Sequence, residues 1–121
     1  MTSIRNEDLK VTISDRPSGA RLIQLSGPLT LSTLFTFQEA VRQDRTKALL
    51  LDVSSVPYMD SGGLGSVISA FVSCQSSHRP FGMFGISERI QQLLDVTRVS
   101  GLMPCFASLE EAEGKLGLPP G

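Results

Sequence analysis

The chain is poor in the side chains that most site chemistry needs. It has one histidine, His78, and two cysteines, Cys74 and Cys105. A single imidazole cannot form a histidine metal cluster, and two cysteines make neither a disulfide framework nor a zinc site. An excess of one charge is missing too: eleven Lys/Arg stand against twelve Asp/Glu, for a formal charge of −1 and a pI near 5.7. Nucleic-acid binders and polybasic membrane-surface proteins carry a basic excess, so the balance argues against both. No apolar run approaches the ~20 residues that span a bilayer. Met1–Lys10 carries Arg5, Glu7 and Asp8 without an apolar stretch, which is not the pattern of a signal peptide. The expectation is a small soluble cytoplasmic domain with no metal, no cofactor, no nucleic-acid partner and no direct membrane insertion.

What is present is enough for one packed domain. The chain has 121 residues, 40% of them hydrophobic and 19% charged. Leu9, Val11 and Ile13 alternate with polar residues, which reads as a half-buried strand over Leu9–Ser14. The turn residues Asp15-Arg16-Pro17-Ser18-Gly19 lead to a second strand over Ala20–Ser26, placed antiparallel to the first by the short link. Leu34, Phe37, Ala40 and Val41 predict a helix over Leu31–Gln43, with Thr30 or Ser32 able to cap it. Ala48–Val53 is a nearly continuous apolar run, the pattern of a strand covered on both faces. Leu64, Val67, Ile68, Phe71 and Val72 give the clearest helical stripe, with Ser66, Ser69 and Ser73 largely off it. A strand over Phe81–Ile86 follows. Next come a helix capped by Ser87 with Ile90, Leu93 and Leu94 inside, and a short edge strand at Pro104-Cys105-Phe106. A last helix is capped by Ser108, with Leu109, Ala112 and Leu116 on its apolar side. The order implies an α/β domain: a mixed four- to five-stranded β-sheet packed against about four α-helices. Residues 1–8 read as an N-terminal extension, 9–116 as the domain and 117–121 as a tail.

One segment breaks local rules. Asp60-Ser61-Gly62-Gly63-Leu64-Gly65 puts three glycines at the front of the strongest helix, where each costs about 1 kcal/mol relative to alanine. Such a cluster implies a close backbone approach or unusual dihedrals. A helix start beyond the end of a strand is also where open α/β sheets bind ligands and where free N–H groups favour anions. Spacing rejects the enzymatic readings. No Gly-Lys-Ser/Thr follows a glycine, so there is no P-loop, and Gly63-Leu64-Gly65-Ser66-Val67-Ile68 lacks the third glycine of a dinucleotide fingerprint. Ser61 has Met59 rather than glycine two residues before it, so it is no nucleophile elbow. Ser61 and His78 sit at opposite ends of one helix, roughly 25 Å apart at 1.5 Å per residue. The chain is read as a non-enzyme.

Leu51-Asp52-Val53-Ser54-Ser55-Val56-Pro57-Tyr58-Met59-Asp60-Ser61-Gly62-Gly63-Leu64-Gly65 resembles the signature of the STAS family, the bacterial anti-sigma factor antagonists. That signature is an apolar strand, Asp, a short loop and Asp-Ser-Ser/Thr/Gly-Gly-Leu-Gly. Leu25-Ser26-Gly27-Pro28-Leu29 is similar to the family's Leu-Ser-Gly-Glu-Leu-Asp. Ile90 with Leu93-Leu94-Asp95-Val96-Thr97 is similar to its Val-x-x-Val-Leu-Glu-Leu-Thr, and Pro104-Cys105-Phe106 falls at its Pro-x-Phe. Residues from about Leu9 to Leu116 are covered.

The resemblance implies an anti-sigma factor antagonist whose partner is an anti-sigma factor with serine-kinase activity. It implies phosphorylation of Ser61 as the off switch, with a phosphatase as a possible second partner and sigma-factor-dependent transcription as the output. The phosphate would take the net charge to roughly −2.5 to −3 and place the added charge at a helix N-terminus, which tolerates an anion. The partner surface it implies is Thr30, Tyr58, Met59, Asp60, Ser61, Gly62, Gly63 and Leu64. Departures are Pro28 for Glu, Thr30 for an acidic residue, Gly62 for the usual second serine, and Arg98 where many members have a helix-ending Gly. The alternative is a non-switching STAS subunit of a larger complex, such as a lipid-transport or stress-signalling assembly.

The residues also allow plainer roles. Ser61 or Asp60 can cap the helix. Asp52 suits a turn hydrogen bond, Cys74 and Cys105 suit the core, and His78 a solvated helix end. Tyr58 and Met59 either pack under the loop or form an apolar contact for a partner.

Overall fold

The computed structural model describes residues 2–5 and 8–118. The chain runs β1 (Thr2–Arg5), β2 (Lys10–Asp15), β3 (Ala20–Ser26), α1 (Leu34–Arg42), β4 (Ala48–Ser55), α2 (Ser61–Ser76), β5 (Phe81–Phe84), α3 (Glu88–Val96), β6 (Cys105–Phe106) and α4 (Leu109–Lys115). The strands form one mixed sheet in the order β1-β2-β3-β4-β5-β6. β1, β2 and β3 pair antiparallel; β3 through β6 are parallel. The α/β class, the mixed sheet and the four helices are those expected from the residue pattern. The sheet has one strand more than that pattern indicated, because Thr2–Arg5 pairs with the β2 edge from Thr2↔Ile13 to Arg5↔Lys10. Its four residues are too few to show a usable alternation.

The two faces of the sheet are covered differently. Ile23, Leu25, Leu49, Leu51 and Val53 point to the side where α1, α2 and α3 contribute Phe37, Leu64, Val67, Ile90 and Leu94. Ala20, Leu22, Ala48, Leu50 and Phe84 point to the other side, where α4 adds Ala112. Both faces of β3 and β4 are therefore buried, which is why Ala48-Leu49-Leu50-Leu51 reads as an unbroken apolar run. Gln24 and Asp52, next along the same face, are half-buried. There Gln24 Nε2 donates to Asp52 Oδ2 at 3.3 Å, and Asp52 Oδ1 accepts the Ser54 amide and hydroxyl. Asp52 is thus a turn residue.

Several local expectations need correction. α1 begins at Leu34 rather than Leu31, and its N-cap residue is Thr33, not Thr30 or Ser32. On α2, Val72 is 47% exposed while Ser66 is buried, its hydroxyl donating to the Gly63 carbonyl at 2.6 Å. The inner face of α2 is therefore Leu64, Val67, Ala70 and Cys74, rotated slightly from the apolar stripe. β5 ends at Phe84, not Ile86. Cys74 is buried but Cys105 only half-buried. Burial pushes both thiols up, so both stay protonated near neutral pH.

Ser87 and Ser108 cap α3 and α4 as expected, accepting from the amides of Ile90 and Glu111. Arg98 takes φ +61° at the end of α3. Its amide bonds the Asp95 carbonyl and the Val99 amide bonds Leu94, so the left-handed cap persists without glycine. His78, itself exposed, ends α2 at its C-terminus in the same way, at φ +57°.

Candidate functional site

The site is the junction between the β4–α2 connection and the β3–α1 loop, and main-chain contacts build it. Leu29 and Met59 form an isolated parallel bridge, the Leu29 amide donates to the Tyr58 carbonyl at 3.2 Å, and the Asp60 amide donates to the Leu29 carbonyl at 3.4 Å. This bridge continues the β3–β4 pairing past the strand ends and brings residues 28–31 beside 58–63.

Asp60 then turns the chain into α2. Its backbone is extended (φ −97°, ψ −175°), and Oδ1 accepts the Gly63 amide at 2.8 Å, an N-cap bond. Oδ2 reaches across to the other loop and accepts the Leu31 amide at 3.1 Å. The Gly63 amide above all, helped by the Leu31 amide, holds this carboxyl below the ordinary aspartate range against the opposing effect of burial. One carboxylate therefore fixes both the start of α2 and the position of Leu31.

Two of the glycines are explained by this junction and one is not. A Cβ on Gly63 would lie 1.9 Å from the Leu29 carbonyl oxygen, and one on Gly62 would lie 3.2 Å from Leu31 Cα and Cβ. Only glycine fits at 63, and little more at 62. Gly65 has open space around it, so no close approach requires that third glycine.

The loop on the other side is held by Thr33. Its hydroxyl accepts the Thr30 amide at 2.9 Å and donates to the Pro28 carbonyl at 2.8 Å. Two of the positions where the chain departs from the resembled pattern, Pro28 and Thr30, are thus held through Thr33.

Of the sequence-derived surface residues, Asp60 and Ser61 are exposed and Thr30 and Gly62 are half-buried. Tyr58 is 40% exposed, and the Arg89 guanidinium of α3 lies 5.1 Å from its ring centroid. Met59, Gly63 and Leu64 are buried. Burial places these three beneath the surface of the junction: Met59 packs under the loop, whereas Tyr58 stays exposed beside it. Ser61 is the first residue of α2, and the cap is Asp60, which leaves the Ser61 hydroxyl at the solvent side of the helix start.

Sequence reasoning missed two neighbours. Leu31 is 66% exposed and Phe35 is 69% exposed. For Phe35 the signal was available, because Leu34, Phe37 and Val41 define the inner face of α1 and a residue one position on from Leu34 points about 100° away. Leu31, three residues before Leu34, read as inner face and is exposed because α1 starts only at Leu34. The arginine over Tyr58 carried no local signal, because Arg89 is 31 positions along the chain.

Clefts elsewhere do not involve Ser61. One of about 300 Å³ is lined by Gly85, Ile86, Gln91 and Cys105 among others, and one of about 380 Å³ by Arg42, Asp44, Arg45 and Arg79 among others. Among the described residues no His/Cys/Asp/Glu group could hold a metal ion, and no helix is long and apolar enough to cross a membrane.

Comparisons with known proteins agree with this fold. The model of the STAS domain family matches residues 11–112. The anti-sigma-B factor antagonist of Listeria monocytogenes is 27% identical over 112 residues, covering 90% of this chain and 95% of that one. The anti-sigma-B factor antagonist of Staphylococcus aureus is 29% identical over 84 residues, covering 67% of this chain and 78% of that one. The crystal structure of an anti-sigma factor antagonist from Mycobacterium paratuberculosis superposes with a TM-score of 0.80 at 19% identity, covering 90% of this chain and 94% of that one. With the family match running from within β2 to within α4, the chain belongs to the STAS domain family.

Proposed function

We propose that this chain is an anti-sigma factor antagonist that docks on an anti-sigma factor with serine-kinase activity and is released when that kinase phosphorylates Ser61. The carrying observation is the division of labour at the start of α2. Asp60 does the capping and Ser61 stands exposed beside it, so the hydroxyl is free to accept a phosphoryl group without loss of a structural bond. The names of the relatives support the antagonist role. Transfer of the γ-phosphoryl group of ATP to Ser61 Oγ releases ADP and a proton, and leaves a phosphate of about −1.5 to −2 charges. The α2 N-terminus stabilises that charge, so the domain stays folded. The partner, packed on Tyr58, Leu31, Phe35 and the rim of Asp60 and Thr30, would have to desolvate a dianion and is released. A phosphatase acting on phospho-Ser61 would restore binding.

The test compares wild type, Ser61→Ala and Ser61→Glu as baits in native lysate, with mass spectrometry of Ser61 after incubation with the captured kinase and ATP. A serine-kinase anti-sigma factor retained by the first two and lost by Ser61→Glu, with phosphate on Ser61 of the wild type, is the expected result. The same partners on all three baits and no phosphate on Ser61 would instead fit a non-switching subunit of a larger complex.

A further inference from the structure

We infer that Asp60 is a positioning residue that couples the charge at Ser61 to the β3–α1 loop, so that phosphorylation frees Leu31 as well as adding bulk at α2. This deepens the reading of Ser61 as the switched residue and rests on it. The observation is the forked contact of the Asp60 carboxylate, with Oδ1 on Gly63 in its own helix and Oδ2 on Leu31 in the neighbouring loop.

The two bonds are unequal. The Gly63 bond is shorter, at 2.8 Å against 3.1 Å, and partly buried, whereas the Leu31 bond is exposed. A phosphate on the next residue along repels the carboxylate and competes with it for the free amides of the first turn. The carboxylate gives up the weaker contact first. It keeps the cap on Gly63, where the rigid 60–63 turn is fixed by the Leu29–Gly63 approach, and releases Leu31. Leu31 is also the residue packed against Gly62, and Phe35 follows four residues later, so the exposed apolar pair loses its fixed placement. The phosphate would then act twice: directly at Ser61, and through Asp60 on a second part of the same surface.

The test uses the isolated full chain and needs no partner. Two-dimensional 15N–1H NMR follows the Leu31 amide in wild type, Ser61→Glu, Ser61→Gln and Asp60→Ser. Serine keeps the N-cap but its single short hydroxyl cannot hold both amides. The expected result has three parts. The Leu31 amide is protected and downfield-shifted in wild type and Ser61→Gln. It moves upfield with loss of protection in Ser61→Glu and in Asp60→Ser. Adding Ser61→Glu to Asp60→Ser then moves it no further, which a merely structural cap would not produce. A Leu31 amide unchanged between wild type and Ser61→Glu, or one that responds equally to Ser61→Glu without Asp60, overturns the coupling. Failure of the partner-capture experiment with the NMR response intact would instead count against the kinase reading alone.

Discussion

α2 has an aspartate near each end, and the two are used in opposite ways. Asp60, at the N-terminus, is exposed and commits its oxygens to backbone amides. Asp44, beside the C-terminal end, is fully buried. Its Oδ2 accepts from Arg79 Nη1 at 2.7 Å, and its Oδ1 accepts the Thr46 amide and hydroxyl at 3.0 and 2.7 Å. Arg21 Nε lies 3.8 Å away from the same carboxylate. The lower end is thus closed around a neutralised charge, while the upper end holds its charge in water. A protein that must accept a further dianion can do so only at the second kind of end, where solvent and helix dipole share the added charge.

The largest expected effect is at the closed end. Removing one member of a buried pair costs about 3–5 kcal/mol, because the partner is left uncompensated. Asp44→Ala should lower stability by that order in urea unfolding, against about 1 kcal/mol for loss of the cap in Asp60→Ala. Equal losses would erase the contrast between the two ends. The pH dependence carries the same signature. Burial alone would raise the Asp44 pKa, but the Thr46 hydroxyl and amide and the Arg79 guanidinium outweigh it and hold the group below its ordinary value. A lowered folded-state pKa stabilises fully above the unfolded value of about 3.9, and the contribution is lost as pH falls through the lower folded value. Asp44→Asn should therefore flatten the acid limb of the stability profile, the remaining slope coming from groups such as Glu113, held down chiefly by its hydrogen bond from Arg16.

Next in size is the backbone contact at the open end. Gly63→Ala must displace the Leu29 carbonyl, and overpacking of this kind costs about 1–3 kcal/mol or more. Circular dichroism melts should show the loss. The Leu31 amide should shift as well, because the same displacement parts the two loops that Asp60 ties together. A melt unchanged by Gly63→Ala would mean the junction is softer than its geometry.

Much of this architecture was legible in the residues, and the parts that were not share a cause. Ala20–Ser26, the capping serines 87 and 108, and the core role of Cys74 follow from period, turn chemistry and local propensity. The glycine cluster signalled the junction by its cost alone. What escaped was non-local or too short. Thr2–Arg5 is a strand only because the β2 edge is there to pair with it. Thr33 is the N-cap residue of α1 with no side-chain cap bond, because its hydroxyl is engaged with Pro28 and Thr30 in the loop before it. The burial of Met59 depends on the Leu29 bridge, a pairing across 30 residues that no local pattern reports. At the candidate site the sequence left Asp60 and Ser61 both able to cap α2, and the Gly63 bond assigns the cap to Asp60.

The smallest prediction concerns the glycine that the junction does not explain. Gly65 sits late in the first turns of α2, exposed, and beyond its own helix no atom lies within 4 Å of where a methyl group would sit. Glycine in a helix interior costs about 0.5–1 kcal/mol relative to alanine through lost backbone entropy. Gly65→Ala should therefore raise the unfolding free energy by about that amount, opposite in sign to Gly63→Ala two residues away. If packing alone shapes the open end, that gain comes with partner capture and the Leu31 amide unchanged. A stabilised variant that no longer captures the proposed partner would show that this partner approaches the α2 backbone closely at this position, extending the proposed docking surface one turn beyond Ser61.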